Sequence, residues 1–353
     1  MKTVRQSAPQ LQGLVPYDPK YIPADIMNSA NENPCDVEES VKREINSAVR
    51  NVRLNRYPDP LANDLRDMIA EANGLDRSQV LLGNGGDELL FDLALTYGGP
   101  GRKFLNMPPT FSVYENNAIL TNTEVVNVPR RADFSIDEEA VLARVAEGDI
   151  DFIIVTSPNN PTGQLAPEEF VLRLLDATDA VVMVDEAYFE FSRTTLRPYL
   201  PMHENLLLLR TFSKAFSLAG VRLGYILGNE SVIREFMKVR QPYSVDAVSQ
   251  AIGRVVYANR GKFERGIDLI ISERGRLIEG LAAIPGVEPY PSDSNYILFK
   301  VPDAGGVWQK LFDRGILIRD FSRSKYIEGT LRVSVGTPEE NDAFLGALRE
   351  IVE

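Results

Sequence analysis

Lys214 follows an apolar run, Leu206 to Leu209, within the stretch Thr211-Phe212-Ser213-Lys214-Ala215-Phe216-Ser217-Leu218-Ala219-Gly220-Val221-Arg222. The run reads as a buried strand, so the lysine falls where water is scarce. Burial disfavours an ammonium and lowers its pKa. The neutral amine that results is a nucleophile toward carbonyls. Thr211, Ser213 and Arg222 add hydroxyl donors and a guanidinium fork, the groups that hold a phosphate. An amine for an aldehyde beside a cradle for a phosphate points to pyridoxal 5'-phosphate, which carries both on one ring. The plainer alternative for this stretch alone is a surface loop with a chance lysine and arginine.

Two upstream segments weigh against that alternative. Ser157-Pro158-Asn159-Asn160-Pro161-Thr162-Gly163 follows an apolar strand, Phe152 to Thr156. Val181-Val182-Met183-Val184 runs into Asp185-Glu186-Ala187-Tyr188. Ligands of parallel sheets sit at the carboxyl ends of the strands, where Asn160, Asp185, Tyr188 and Lys214 all fall. An aspartate there can hold a pyridine nitrogen protonated and make the ring an electron sink. Asn160 and Tyr188 can hydrogen-bond the ring oxygen.

A further turn suits an anion. Val80-Leu81-Leu82 meets Gly83-Asn84-Gly85-Gly86-Asp87-Glu88, a strand, a glycine-rich turn and a helix start. Exposed amides and the positive end of the helix dipole favour phosphate there. The carboxylate of Asp87 is expected to point away and help cap the helix. Arg332, inside the apolar strand Leu331 to Val335, needs an anionic partner, either a substrate or a structural carboxylate.

The order N-P-T-G, D-E-A-Y, S-K, then arginine eight residues after the lysine, resembles the fold-type I pyridoxal-phosphate aminotransferases. Asn55-Arg56-Tyr57-Pro58, Gly83 to Glu88, Pro108-Pro109-Thr110-Phe111 and Leu331 to Thr337 look like their histidinol-phosphate aminotransferase branch. The resemblance covers Val15 to the C-terminus. It implies an α/β fold of type I, with a large domain built on a mostly parallel seven-stranded sheet and a smaller α+β domain. Residues 1–34 would be an arm joining the small domain, 35–270 the large domain and 271–353 the small one.

By the same resemblance, Lys214, Asp185 and Tyr188 are catalytic. Gly86, Asp87, Phe111, Asn160, Thr211, Ser213 and Arg222 would hold the cofactor, with Phe111 stacking where several relatives have tyrosine. Tyr57 would reach the cofactor phosphate of the other subunit in a homodimer. Tyr17, Asn295, Arg323 and Arg332 would meet the substrate. The implied reaction takes an amino donor and a keto-acid acceptor: L-histidinol phosphate and 2-oxoglutarate giving imidazole acetol phosphate and glutamate, in histidine biosynthesis. An aromatic amino acid aminotransferase, a threonine-phosphate decarboxylase and a cofactor-binding regulatory module are the alternatives.

Composition sets the bounds. The chain has 353 residues, enough for a large core and two domains. Its net charge of −12 argues against nucleic acid as a partner. Cys35 is the single cysteine and His203 the single histidine, which argues against an intrachain disulfide and a zinc site. A cytoplasmic location fits that cysteine usage. Met1 to Gln6 carries no apolar segment of signal-peptide length, and no apolar run approaches a membrane span.

The elements that position these residues are alternating strands and helices. Helices are expected over Val37 to Val52, Leu61 to Asn73 with Gly74 closing it, and Ile136 to Glu147 starting near Ser135. A long helix from Gly261 to Leu281 is expected to lead out of the large domain.

Overall fold

The computed structural model describes residues 4–14 and 22–353. Seven strands form the larger sheet in the order Val80–Asn84, Leu223–Gly228, Leu206–Thr211, Val181–Asp185, Phe152–Thr156, Lys103–Asn106 and Glu124–Asn127. Leu223–Gly228 runs antiparallel to both its neighbours, and the remaining pairs are parallel. The fold is therefore the mostly parallel α/β sheet that the alternation implied.

The central strands are apolar throughout and buried on both faces. Val181–Asp185 and Leu206–Thr211 contain no exposed residue. Side chains alternate between faces. Leu207 and Leu209 pack into the core that includes Leu89, Leu90 and Leu93, while Leu206 and Leu208 pack into the core on the other side. Register sets the functional ends level: Thr156 pairs with Asp185, and Asp185 with Leu209.

A second sheet has five strands, Ile26–Asn28, Ile316–Phe321, Thr330–Ser334, Tyr296–Lys300 and Glu288–Pro289. Ile26–Asn28 lies parallel to Ile316–Ile318, so the N-terminal segment is tied into this sheet. Sequence periodicity alone gave that segment no strand. Three residues are too few for an alternation to register.

Helix ends follow local chemistry. Gly74 takes φ +61° and closes Asn63–Asn73 as expected. Thr337 and Glu340 form a reciprocal capping box at the start of Pro338–Val352. The helix expected from Ile136 runs Glu138–Val145 instead. Asp137 caps it, while the Ser135 hydroxyl is engaged by Asp133 at 2.6 Å. No helix among the described residues is long and apolar enough to cross a membrane.

Candidate active site

The carboxyl ends of the parallel strands open into a cavity of about 960 Å³. Its lining includes Gly86, Asp87, Phe111, Asn160, Asp185, Tyr188, Thr211, Ser213, Lys214, Arg222 and Arg332. Eleven residues from six separate stretches of the sequence thus meet in one cleft.

Lys214 is half-buried, and its Nζ donates to the Ala30 carbonyl at 2.9 Å. Burial, then the positive field of Arg332, brings its ammonium down to about 8. Such an amine is about half uncharged near pH 8 and mostly uncharged above it.

Asp185 ends its strand with both oxygens in use. Oδ1 accepts the Ala187 amide at 3.0 Å and Oδ2 accepts the Tyr114 hydroxyl at 2.7 Å. Burial pushes its carboxyl up to about 6, against the pull of those two donors. Tyr114 in turn accepts from Thr156 Oγ1 at 2.9 Å. Thr110 then links Thr156 to Asn159, whose amide donates to the Pro109 carbonyl at 3.0 Å. Tyr114 was absent from the sequence reading. Its signal was a tyrosine three residues after Phe111, on the helix Val113–Leu120 and facing inward.

The turn expected to hold a phosphate forms around two glycines. Gly85 has φ +79°, and a Cβ there would lie 2.5 Å from Arg222 Nη2. A Cβ on Gly224 would meet the Gly85–Gly86 backbone at 2.7 Å. Glycine at both positions lets the turn, the strand and the guanidinium close on each other. Arg222 Nη1 reaches Ser213 Oγ at 3.4 Å, and Thr211 Oγ1 accepts the Ser213 amide at 3.0 Å.

Asp87 departs from expectation. Its carboxylate does not cap the helix but pairs with Arg222 at 3.0 Å, and Glu88 takes the Asn84 amide instead. The bare turn at Gly85 lets Arg222 come within its reach.

The segment Ser29–Asn31 forms the opposite wall. Its carbonyls accept from Arg332 at 2.7 Å, Lys214 at 2.9 Å and Asn295 at 3.0 Å. Asn31 Nδ2 donates to the Tyr188 hydroxyl at 3.0 Å. Arg332 Nη1 donates to Asn160 Oδ1, and its guanidinium lies 5.2 Å from the Tyr296 ring.

The substrate residues divide. Arg332 lines the cleft as expected. Arg323 does not: it is exposed on the turn after Ile316–Phe321, where the Ser322 amide donates to Asp320 Oδ1, and it is left out of a lining to which its neighbours Phe321 and Ser324 belong. Arg319 lines the cleft instead, directly opposite Arg332 in register. The sequence signal was available, since Arg319 also follows an apolar strand run. Asn295 is buried behind the Asn31 carbonyl rather than lining the cleft. Tyr17 lies outside the described residues. Tyr57 is 80% exposed, stacks on Tyr243 at 4.5 Å between centroids, and stays out of this chain's own cleft.

The donor set fits pyridoxal 5'-phosphate. A low-pKa amine, a buried carboxylate, and a cradle that a single Cβ would fill are placed at one strand edge. Phe111 offers a ring face, set edge-on to Tyr114 with centroids 5.6 Å apart. No group of three or more His, Cys, Asp or Glu able to hold a metal ion occurs among the described residues.

Residues 25–348 match the model of the family described as aminotransferase class I and II. The chain is 35% identical over 343 residues, 97% of both chains, to the histidinol-phosphate aminotransferase of Caldanaerobacter subterraneus subsp. tengcongensis. It is 40% identical over 340 residues, 96% of both chains, to histidinol-phosphate aminotransferase 1 of Carboxydothermus hydrogenoformans. Among solved structures it is similar to the histidinol-phosphate aminotransferase of Sinorhizobium meliloti in complex with pyridoxal-5'-phosphate. That likeness has a TM-score of 0.90 and 25% identity, and covers 99% of this chain and 98% of the other.

Proposed function

The chain belongs to the class I and II aminotransferases, and from that premise we propose that it binds pyridoxal 5'-phosphate and moves an amino group from L-histidinol phosphate to 2-oxoglutarate. The observation that carries the substrate is the pair Arg319 and Arg332, two guanidiniums opposed in register at the cleft. Two guanidiniums facing one cleft make it favourable to an anion. A phosphate dianion uses both forks better than a single carboxylate does. The names of the relatives support the same donor.

When bound, the cofactor supplies an electron sink for the pair left as a Cα–H bond breaks. The rest falls to this chain. Lys214 Nζ is the amine for the aldehyde and the base that takes and returns the Cα proton. Asp185, steadied by hydrogen bonds from Tyr114 and the Ala187 amide, would supply the negative charge that keeps the pyridine nitrogen protonated. Asn160 and Tyr188 orient the ring oxygen. Thr211, Ser213, Arg222 and the Gly86 and Asp87 amides would hold the phosphate, with Phe111 beside the ring. Arg222, paired with Asp87 at 3.0 Å, would be shared between that carboxylate and the phosphate.

The enzyme works as a cytoplasmic homodimer. Tyr57 is a cleft residue only for the partner, which fits its exposure here. Sedimentation at the mass of one chain would contradict the dimer, and recovery outside the cytoplasmic fraction would contradict the location.

Mixing cofactor-loaded protein with L-histidinol phosphate, without keto acid, tests the reaction. The absorbance of the aldehyde form should convert to that of the amine form, one equivalent per site. An unchanged spectrum, with conversion by phenylalanine or tyrosine, would move the substrate to an aromatic amino acid. Histidinol phosphate has no carboxylate, so its conversion also excludes decarboxylation.

A further inference from the structure

Arg130 is a buried cation without an acid. It is 8% exposed, and among the described residues it forms no ion pair. Its guanidinium reaches two carbonyls, Met107 at 3.3 Å and Phe134 at 3.2 Å. Both contacts are long, and carbonyls do not neutralise charge. A buried guanidinium in that state is costly unless an anion joins it. Burial brings its pKa down to about 10.

Arg130 lines a cavity of about 310 Å³ that is separate from the cleft. Arg131, Lys300, Tyr290, Tyr326 and Glu328 share that lining. Arg131 is partly committed to Asp137 at 3.1 Å, whereas Lys300 has no ion-pair partner among the described residues. Glu328 is the one acid facing in. With Arg131 set against Asp137, and Glu288 opposite Lys300 in register, Arg130 is the lining cation that no carboxylate answers. Phe134 and Tyr326, which flank it, hold φ of +66° and +73°. Non-glycine residues in that region carry strain, and such strain gathers at ligand sites.

We propose that this cavity is a second anion site, taking a compact oxyanion of the phosphate or carboxylate class between the Arg130 segment and the smaller sheet. Pro109, Tyr326 and Ile327 line both this cavity and the catalytic cleft, so the two share a wall. An anion seated here braces that wall, and its binding is linked to that of the amino donor, each changing the other's affinity by the same factor.

Calorimetric titration of the cofactor-loaded enzyme with inorganic phosphate, and separately with succinate, tests the site. Lys300→Met should weaken binding by about tenfold and Glu328→Gln should tighten it, as expected for gaining or losing a charge at an anion. Both side chains are exposed and outside the catalytic cleft, so kcat should hold. Phosphate without succinate binding assigns the phosphate class, and the reverse assigns the carboxylate class. Wild-type affinity in both variants, or no binding of either anion beyond the catalytic cleft, would overturn the proposal.

Discussion

Tyr114 donates its phenolic hydrogen to Asp185 Oδ2 at 2.7 Å, and both groups are buried. Burial and the neighbouring carboxylate raise the Tyr114 pKa well above normal, so the phenol stays protonated and remains a donor. A hydrogen bond to the charged form lowers an acid's pKa. Tyr114 therefore offsets part of the burial that lifts Asp185 to about 6.

Replacing Tyr114 with Phe removes that donor. Asp185 should then hold its proton to a pH higher by about one unit, the scale of one charge-assisted hydrogen bond. Below its pKa the carboxyl is neutral and cannot pair with a pyridinium. Cofactor affinity should thus fall off toward acid in both proteins, starting at higher pH in Tyr114→Phe. Equilibrium dialysis against pH reads this directly, and superimposed curves would contradict it.

The amine of Lys214 is lowered to about 8, chiefly by burial. Its neutral fraction rises about tenfold per pH unit below that value and levels above it. The rate at which cofactor-free protein captures pyridoxal phosphate should follow the same curve. Stopped-flow absorbance between about pH 6 and about pH 10 checks it. A rate still climbing tenfold per unit at the alkaline end would mean an unshifted lysine.

Arg319 and Arg332 line the cleft opposite each other in register, and Arg323 does not line it. Arg319→Gln and Arg332→Gln should each raise KM for histidinol phosphate by about ten- to a hundredfold, the worth of a charged hydrogen bond. Arg323→Gln should leave KM near wild type. Steady-state kinetics of the three variants decides, and a large effect at Arg323 alone would restore the sequence-based assignment.

Behind Asp185, Glu186 points to the opposite side of the sheet and pairs with Arg210 at 2.9 Å, both nearly inaccessible. Thr195 Oγ1 and the Leu196 amide also donate to it. Glu186→Gln leaves Arg210 buried without its counter-charge and should cost about 3–5 kcal/mol. Denaturant unfolding of the variant measures that cost. A loss below about 1 kcal/mol would mean that the pair is replaceable.

The strands were legible in the sequence because buried parallel strands are continuous apolar runs. Val181–Asp185 emerged whole, and the run Leu206 to Leu209 marked all but the last two residues of Leu206–Thr211. Lys214, Asp185, Asn160, Tyr188 and Arg222 stand out in the sequence because polar types follow or precede apolar strand runs, and the structure brings the five to one cleft. Tyr114 was not, since an inward tyrosine on a short helix reads as core until its partner is known. Arg319 carries a sequence signal, an arginine closing the apolar run Ile316 to Ile318, but that it stands beside Arg332 is fixed only by strand register. The Ser29–Asn31 wall was equally hidden, because its contacts are backbone carbonyls whose side chains carry no signal.

The central claim is that Lys214 Nζ is the amine that engages the cofactor. Reducing the cofactor-loaded protein with borohydride and mapping its peptides by mass spectrometry tests this most directly. The account predicts one cofactor mass per chain, on the peptide containing Lys214, and none in Lys214→Ala. A label on another lysine, or an equal label in Lys214→Ala, would contradict it.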